Sequence, residues 1–147
     1  MRLPEQRLWD WLRDRLGGHW FAERVENEVK VGTPDVYFAH PRGKGWLELK
    51  SIKAWPRLES TPLKLPNWTT AQRAWMQEHS RMGGCSWLVV QIEDTNEVLI
   101  LPDVIALKAI DTWTQDEARY KTARTIGMLR EKRSIDAQML LDKLSTR

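Results

Sequence analysis

The stretch that decides the fold runs from residue 32 to residue 51 and reads GTPDVYFAHPRGKGWLELKS. It predicts two short strands, Val36–Ala39 and Trp46–Ser51, because a turn of His, Pro, Gly and basic residues separates two apolar-rich runs. Such runs pair as an antiparallel hairpin. The hairpin brings Asp35, which starts the first strand, onto a strand neighbouring that of Glu48.

The second strand of this hairpin carries two charged side chains on one face. Alternation sends Leu47 and Leu49 to one face and Glu48 and Lys50 to the other. Asp35 and Glu48 supply the hard oxygen ligands that Mg²⁺ or Mn²⁺ prefers. Lys50 beside them is suited to hold or polarise a water and to stabilise negative charge that develops on a phosphate. Taken singly, the acids and the lysine also fit a turn cap and a solvent-facing ion pair.

Outward from the hairpin, hydrophobic periodicity and helix caps predict further elements. They are a helix Leu3–Leu16, a strand Phe21–Val31, a helix from Thr69 or Thr70 to Met82, strands Ser86–Glu93 and Val98–Leu101, a short helix from Pro102-Asp103 to Ile110, and helices from Gln115 onward that restart at Ser134. This order predicts a single α/β domain over residues 1–147 with a mixed sheet. Its core covers about residues 3–102, and a helical extension covers about residues 103–147.

Composition excludes several classes of protein. The chain has 147 residues, of which 41% are hydrophobic and 29% charged, as in a globular domain. Nine tryptophans argue against disorder. A lone cysteine, Cys85, cannot form an internal disulfide or a cysteine-based zinc site. No apolar run approaches the ~20 residues of a membrane span. We therefore expect a cytoplasmic protein with no membrane partner.

Basic residues are concentrated in two segments. Residues 42–73 carry seven Lys or Arg against two acids and residues 119–133 carry six against one, whereas residues 74–118 carry two against eight. This distribution favours a polyanionic partner over a solvated surface. Predicted nucleic-acid contacts follow the hairpin, at Lys53, Trp55, Arg57, Lys64, Trp68 and Arg73. For the two tryptophans, packing beneath the long loop of residues 54–69 remains an equal alternative. Trp46, on the face of Glu48, and Trp75 lie near the same site in sequence.

The ordered set Gly32-Thr33-Pro34-Asp35 and Glu48-Leu49-Lys50 resembles the signature of the PD-(D/E)XK nucleases. The predicted order of elements over residues 3–93 is similar to the restriction-endonuclease-like αβββαβ core of that superfamily. The Gln-x-x-Trp, Gly-Gly and apolar strand that follow are similar to small phage nucleases and to the VRR-Nuc branch. Archaeal-type Holliday junction resolvases share the layout.

The resemblance implies metal-dependent hydrolysis of phosphodiester bonds. Asp35, Glu48 and the Leu49 carbonyl are the implied ligands of one or two Mg²⁺ or Mn²⁺ ions. Lys50 is implied to orient the attacking water. Gln72 matches a glutamine that many members carry on the helix after the third strand, where it orients a ligand or contacts the phosphate.

The first helix of the superfamily often carries a further active-site glutamate. Glu5, on the apolar stripe of the predicted first helix, matches it and is an implied metal ligand. Glu26 and Glu28 stay open as alternatives for this role.

We therefore expect a Mg²⁺- or Mn²⁺-dependent DNA endonuclease, located in the host cytoplasm if a phage encodes it. The expected substrate is duplex or branched DNA, cut by structure selection or junction resolution with little sequence specificity, and the expected assembly is a homodimer. The alternative is a non-catalytic nucleic-acid-binding or assembly protein with the same fold.

Overall fold

The computed structural model describes residues 3–25, 32–125 and 127–146. The helices are α1 (Pro4–Leu16), α2 (Thr70–Arg81), α3 (Asp103–Ala109), α4 (Gln115–Thr122) and α5 (Ala137–Lys143), and the strands are β1 (Phe21–Arg24), β2 (Val36–His40), β3 (Gly43–Ile52), β4 (Ser86–Ile92), β5 (Glu97–Pro102) and β6 (Met128–Glu131). Among these elements, no helix has the length and apolar character needed to cross a membrane.

The strands form one six-stranded sheet in the order β1-β2-β3-β4-β5-β6. β3 and β4 are parallel because α2 connects them as a crossover, and the other neighbouring strands are antiparallel. The predicted α/β class with a mixed sheet is confirmed. The predicted meander of the first three strands is also present.

A separate hydrophobic core packs against each face of the sheet. On one face, Leu47 and Leu49 of β3 pack with the buried stripe of α1 and with α5, and we call this the α1 face. On the other, Leu88 and Val90 of β4 pack with α2, α3 and the loop after β3, and we call this the α2 face. β3 lies in the middle of the sheet, so its polar side chains on the α2 face are surrounded by apolar packing.

The C-terminal part of the chain is not helical throughout, so the predicted helical extension is wrong between α4 and α5. Met128–Glu131 forms β6 and pairs antiparallel with β5, with Met128 opposite Ile100. The open edge of β5 supplies backbone partners that override the helical composition of this segment. The strand predicted over Phe21–Val31 is described only at its start, as β1. Its remainder at residues 26–31, with the alternative acids Glu26 and Glu28, lies outside the described residues.

Candidate active site

The candidate site forms where β3 extends past the start of β2. β2 begins at Val36, which pairs with Leu47. Directly before it, Asp35 accepts a hydrogen bond from the backbone N–H of Leu49 through Oδ2 at 2.9 Å. A side chain therefore takes the place of a strand partner at this edge of β3. In a strand the N–H and C=O of one residue point to the same side, so the Leu49 carbonyl is directed to this edge as well.

The bend before Asp35 requires a glycine. Gly32 has φ +94°, and a Cβ at this position would lie 2.5 Å from the Ala71 carbonyl oxygen in the first turn of α2. The chain can approach α2 this closely only without a side chain. The bend thereby sets Asp35 beside the helix that carries Gln72.

Gln72 is fixed at both ends of its side-chain amide. Its Oε1 accepts from the N–H of Thr69 at 2.9 Å, and the Thr69 hydroxyl accepts from the N–H of Gln72 at 3.1 Å, which together cap α2. Its Nε2 donates to Glu48 Oε1 at 2.7 Å. The capping motif of Thr69 and Gln72 thus holds the side-chain amide of Gln72 against Glu48, the proposed metal ligand.

Glu48 is 2% exposed and only half satisfied. Its Oε1 accepts from Gln72 and lies 3.3 Å from Lys50 Nζ. Its Oε2 is buried and has no hydrogen-bond partner in the part of the chain that the structure describes. Burial, reinforced by the charges of Asp35 and Glu5 and opposed by Lys50, raises the pKa of Glu48 to about 8. The fold therefore maintains a buried carboxyl group with one oxygen that no described residue pairs.

Lys50 is held between this carboxyl group and the loop after β3. Its side chain is 7% exposed, and its Nζ donates to the backbone carbonyl of Asn67 at 2.6 Å. An ammonium group has three donors, so one is left beyond the contacts with Asn67 and Glu48. Lys50 is thus fixed in position and still able to donate.

Glu5 approaches the same edge from the N-terminus of α1. Glu5 and Lys50 line the same small pocket beside β3. Burial raises the pKa of Glu5, the charge of Lys50 lowers it and the charge of Asp35 raises it. Burial likewise raises the pKa of Asp35 above its ordinary value. The N-terminus of α1 is anchored by Gln91 on β4, whose Nε2 donates to the Pro4 carbonyl at 3.2 Å and to Ser51 Oγ at 3.0 Å.

The donor set at this edge fits a divalent metal ion, although the side chains are not arranged as a complete coordination sphere. In the described ranges, no group of three or more His, Cys, Asp or Glu residues is placed to hold a metal. Two carboxylates, Asp35 and Glu48, and the Leu49 carbonyl are nevertheless hard oxygen donors at one edge. Oε2 of Glu48, which no described residue pairs, is such a donor. Mg²⁺ is commonly held by one or two carboxylates together with substrate phosphates, and the chemistry of this set is compatible with that mode of binding.

The predicted site residues therefore divide into two groups. Those of the proposed chemical centre come together at one edge of β3, namely Glu5, Asp35, Glu48, Leu49, Lys50 and Gln72. Of the predicted nucleic-acid contacts, three are exposed cations along and beside the loop after β3, namely Lys53, Arg57 and Lys64.

The other three predicted contacts are engaged within the protein. Trp55 and Trp68 are 7% and 4% exposed and belong to the core of the α2 face. The indole N–H of Trp55 donates to Glu97 Oε1 at 2.9 Å. Arg73 forms an ion pair with Asp111 at 2.6 Å and lies 4.3 Å from the ring centroid of Trp68. Packing beneath the loop, the alternative left open above, describes both tryptophans in this structure, and neither ring face is available to a base.

The second basic segment is also largely engaged with its own chain. The pairs are Arg119 with Glu97, Lys121 with Glu117, Arg133 with Glu131, and Lys132 with Gln91. Arg124 lies over the ring of Tyr120. The segment therefore presents less free positive charge than its composition indicates.

Sequence reasoning missed three residues that contribute to the site. Asn67 holds Lys50 through a backbone carbonyl, which no side-chain pattern reveals. The positive charge of Arg24, at the end of β1, partly offsets the rise in the pKa of both Asp35 and Glu5. Gln91 had a detectable signal, because it is a polar residue inside the apolar run predicted as a buried strand.

Comparison with known proteins gives a similarity in fold. No family model matches the sequence, and no curated protein matches it. Among solved structures, the chain is similar to Hjc, a Holliday junction resolvase from the archaeal hyperthermophile Archaeoglobus fulgidus. The superposition covers 67% of this chain and 75% of that chain, with a TM-score of 0.48 and 16% sequence identity. At this identity, the roles of the site residues have to follow from their own geometry in this chain.

Proposed function

We propose that this chain is a Mg²⁺- or Mn²⁺-dependent DNA endonuclease of the PD-(D/E)XK type. The observation that carries the proposal is the buried Glu48, whose Oε2 has no hydrogen-bond partner among the described residues. Two further oxygen donors, the Asp35 carboxylate and the Leu49 carbonyl, lie at the same edge of β3. Leaving a group such as Oε2 unpaired costs about 1–3 kcal/mol, so a ligand at this oxygen would offset that cost. A divalent cation is the ligand that fits oxygen donors.

Each site residue has a distinct proposed task. Asp35, Glu48 and the Leu49 carbonyl would hold the metal ion, which when bound lowers the pKa of a water molecule and neutralises charge on a phosphate. Lys50 donates to the attacking water or to a phosphate oxygen, since one of its three donors is free of Glu48 and Asn67. Gln72 holds Glu48 in one orientation.

Glu5 is proposed as the accessory acid. Its raised pKa indicates a carboxyl group that is partly desolvated near Lys50 and Asp35. From this position it would accept a proton from water or help to hold a second ion. The anchoring of Pro4 by Gln91 keeps the acid close to the edge of β3.

The proposed substrate is duplex or branched DNA, with selection by structure rather than sequence. The exposed cations Lys53, Arg57 and Lys64 are suited to phosphates, and phosphate contacts position a nucleic acid without reading its bases. A four-way junction has two strands to cut, so we further propose a homodimer with two sites. Light scattering on the pure protein is expected to give twice the chain mass, and a fully active monomer would contradict the dimer.

A cleavage assay tests the proposal. Wild-type protein is incubated with supercoiled plasmid, a four-way junction and a linear duplex of the same arm sequence, with Mg²⁺, with Mn²⁺ and with chelator. Cutting is expected only with metal and is expected to be lost in Glu48→Ala and Lys50→Ala. Lys108→Ala, an exposed lysine on α3, serves as the matched control and is expected to cut as the wild type does.

The outcomes separate the rival functions. Equal cutting by wild type and both site variants would place the chemistry elsewhere. Binding without cutting in either metal would favour the non-catalytic nucleic-acid-binding protein. Faster cutting of the junction than of the linear duplex is expected, and equal rates would remove the structure selectivity.

A further inference from the structure

Four aromatic side chains form a continuous row on the α2 face beside the candidate active site. We call Tyr37, Trp46, Trp75 and His79 the aromatic row. The ring centroids of Tyr37 and Trp46 are 5.5 Å apart, those of Trp46 and Trp75 are 5.8 Å apart, and those of Trp75 and His79 are 4.5 Å apart. All four side chains are only partly buried. These partly accessible rings contrast with Trp55 and Trp68, which are enclosed in the core.

The row is connected to the candidate site through two elements. Trp46 lies two residues before Glu48 on β3, so the two side chains point to the same face, about 7 Å apart along the strand. Trp75 lies three residues after Gln72 on α2, so both occupy the same side of the helix. Gln72 itself donates to Glu48. A ligand that lies on Trp46 is therefore about two stacked base steps, of about 3.4 Å each, from the proposed centre.

The row opens onto a groove with a favourable charge for DNA. Tyr37, Trp46 and His79 line an open groove of about 290 Å³, together with the exposed Lys44. No acidic side chain lines this groove in the described part of the chain. Asp103, whose charge reaches His79, is itself buried. The space suits one flat group rather than a double helix, because it lies at the lower end of small-ligand sites, about 300 Å³.

We propose that the aromatic row stacks one unpaired base of the DNA beside the phosphodiester bond that the Glu48 and Lys50 site cleaves. The inference rests on the proposed nuclease function and names the part of the substrate that the site selects. Aromatic faces stack any base and so give preference for unpaired nucleotides without reading sequence. Lys44 supplies a cation for the adjoining phosphate. Branched and bulged DNA offers such bases, and continuous duplex does not.

Equilibrium binding measured in chelator tests the proposal apart from cutting. Two labelled DNAs are used, a linear duplex and the same duplex with a short thymine bulge, and affinity is read by fluorescence anisotropy. Wild type is expected to bind the bulged duplex about tenfold more tightly, since one stacked base contributes about this much. Trp46→Ala is expected to lose this preference and to keep its affinity for the linear duplex. Trp46→Phe is expected to keep most of the preference.

Control variants separate stacking from a general loss of folding. Trp20, a partly buried tryptophan on the α1 face, contacts Trp9 and Phe38 and lies outside the row. Trp20→Phe is expected to leave the preference for the bulge unchanged. Tyr37→Leu removes a second ring of the row and is expected to reduce the preference severalfold. Thermal unfolding of each variant reports on folding.

The results that would contradict the stacking proposal differ from those that would contradict the nuclease proposal. Equal affinity of wild type for both DNAs, or an intact preference in folded Trp46→Ala, would overturn the stacking proposal even if the protein cuts DNA. Equal weakening on both DNAs in Trp46→Ala would show that the ring only supports packing. Conversely, a preference that depends on Trp46 in a protein that cuts nothing would retain the stacking site and reject the nuclease.

Discussion

Glu48 and Glu97 are both buried acids of the central sheet, and their surroundings are opposite. Glu97, at the start of β5, is 4% exposed, and both of its oxygens accept hydrogen bonds. Its Oε1 accepts from Trp55 Nε1 at 2.9 Å and Thr95 Oγ1 at 2.7 Å, and its Oε2 accepts from Arg119 at 2.7 Å. Glu48 lacks any partner for Oε2 among the described residues. The same residue type is fully satisfied at one position and left incomplete at the other.

The pKa values of the two acids shift in opposite directions. Burial alone would raise the pKa of Glu97, but the hydrogen bonds from Arg119, Thr95 and Trp55 outweigh it and hold that pKa below its ordinary value. Burial raises the pKa of Glu48 to about 8. We infer that Glu97 anchors the loop after β3 through Trp55, whereas Glu48 is prepared for a positively charged ligand.

The largest expected difference between the two acids is in DNA cleavage. Glu48→Gln keeps the size and the Gln72 contact but removes the charge that would hold the metal, so cleavage is expected to fall more than about a thousandfold. That exceeds the ~10²–10³-fold cost of losing one donor to developing charge. Glu97→Gln is expected to cost less than about tenfold. Initial rates on supercoiled plasmid measure both, and similar losses in the two variants would erase the distinction.

The pH dependence of stability is expected to differ in sign. Between pH 4.5 and about 8, the folded metal-free protein keeps the Glu48 proton that the unfolded chain has released, so stability falls as pH rises, by at most about 1.4 kcal/mol per pH unit. The raised pKa values of Asp35 and Glu5 act in the same direction. Urea unfolding in chelator measures this slope.

Substitution of each acid shows how much it contributes to the change of stability with pH. Glu48→Gln is expected to flatten the decline above pH 4.5. Glu97 has a lowered pKa, so its contribution is present above its ordinary pKa and is lost as pH falls through the lowered folded value. Glu97→Gln is therefore expected to change stability at neutral pH and not at strongly acidic pH. An unchanged decline in Glu48→Gln would contradict the assignment.

Removal of the Glu97 charge is expected to cost stability rather than chemistry. Glu97→Gln weakens the pairing with Arg119 and the bonds from Trp55 and Thr95, and the expected loss in free energy of unfolding is about 1–3 kcal/mol at neutral pH. Arg119 has a half-exposed side chain and can turn to water, which limits the cost. Denaturant unfolding with saturating Mn²⁺ provides the value. No change in stability would mean that the network does not anchor the loop.

The smallest expected effect concerns the anchor of Glu5. Gln91→Met removes the donor to the Pro4 carbonyl and to Ser51. We expect the cleavage rate to fall about tenfold, which is the lower end of the losses typical of residues that orient metal ligands. Gln138→Met, at an exposed position on α5, is the control. If Gln91 acts only on stability, the rate of folded protein at saturating Mn²⁺ is expected to stay unchanged, which would reject its role in positioning Glu5.

The sequence is most informative where the geometry is local. Asp35, Glu48 and Lys50 are predicted from strand alternation and one hairpin. Gln72 is matched only through the resemblance to the nuclease superfamily, and the capping motif that holds it is an observation of the structure. The pairing of β6 with β5 was not predictable, because it depends on an edge formed by distant residues. The Glu97 network joins Trp55 and Arg119 from separate parts of the chain, so the burial of Trp55 became visible only in three dimensions.

Calorimetric titration of Mn²⁺ into the DNA-free protein at pH 8 tests the central claim most directly. Wild type and Glu97→Gln are expected to bind Mn²⁺, and Glu48→Gln is expected to show no binding under the same conditions. Affinity in the wild type is expected to fall as the pH is lowered, because protons compete for Glu48, Asp35 and Glu5. Equal Mn²⁺ binding by wild type and Glu48→Gln would contradict the assignment of Glu48 as the metal-holding acid.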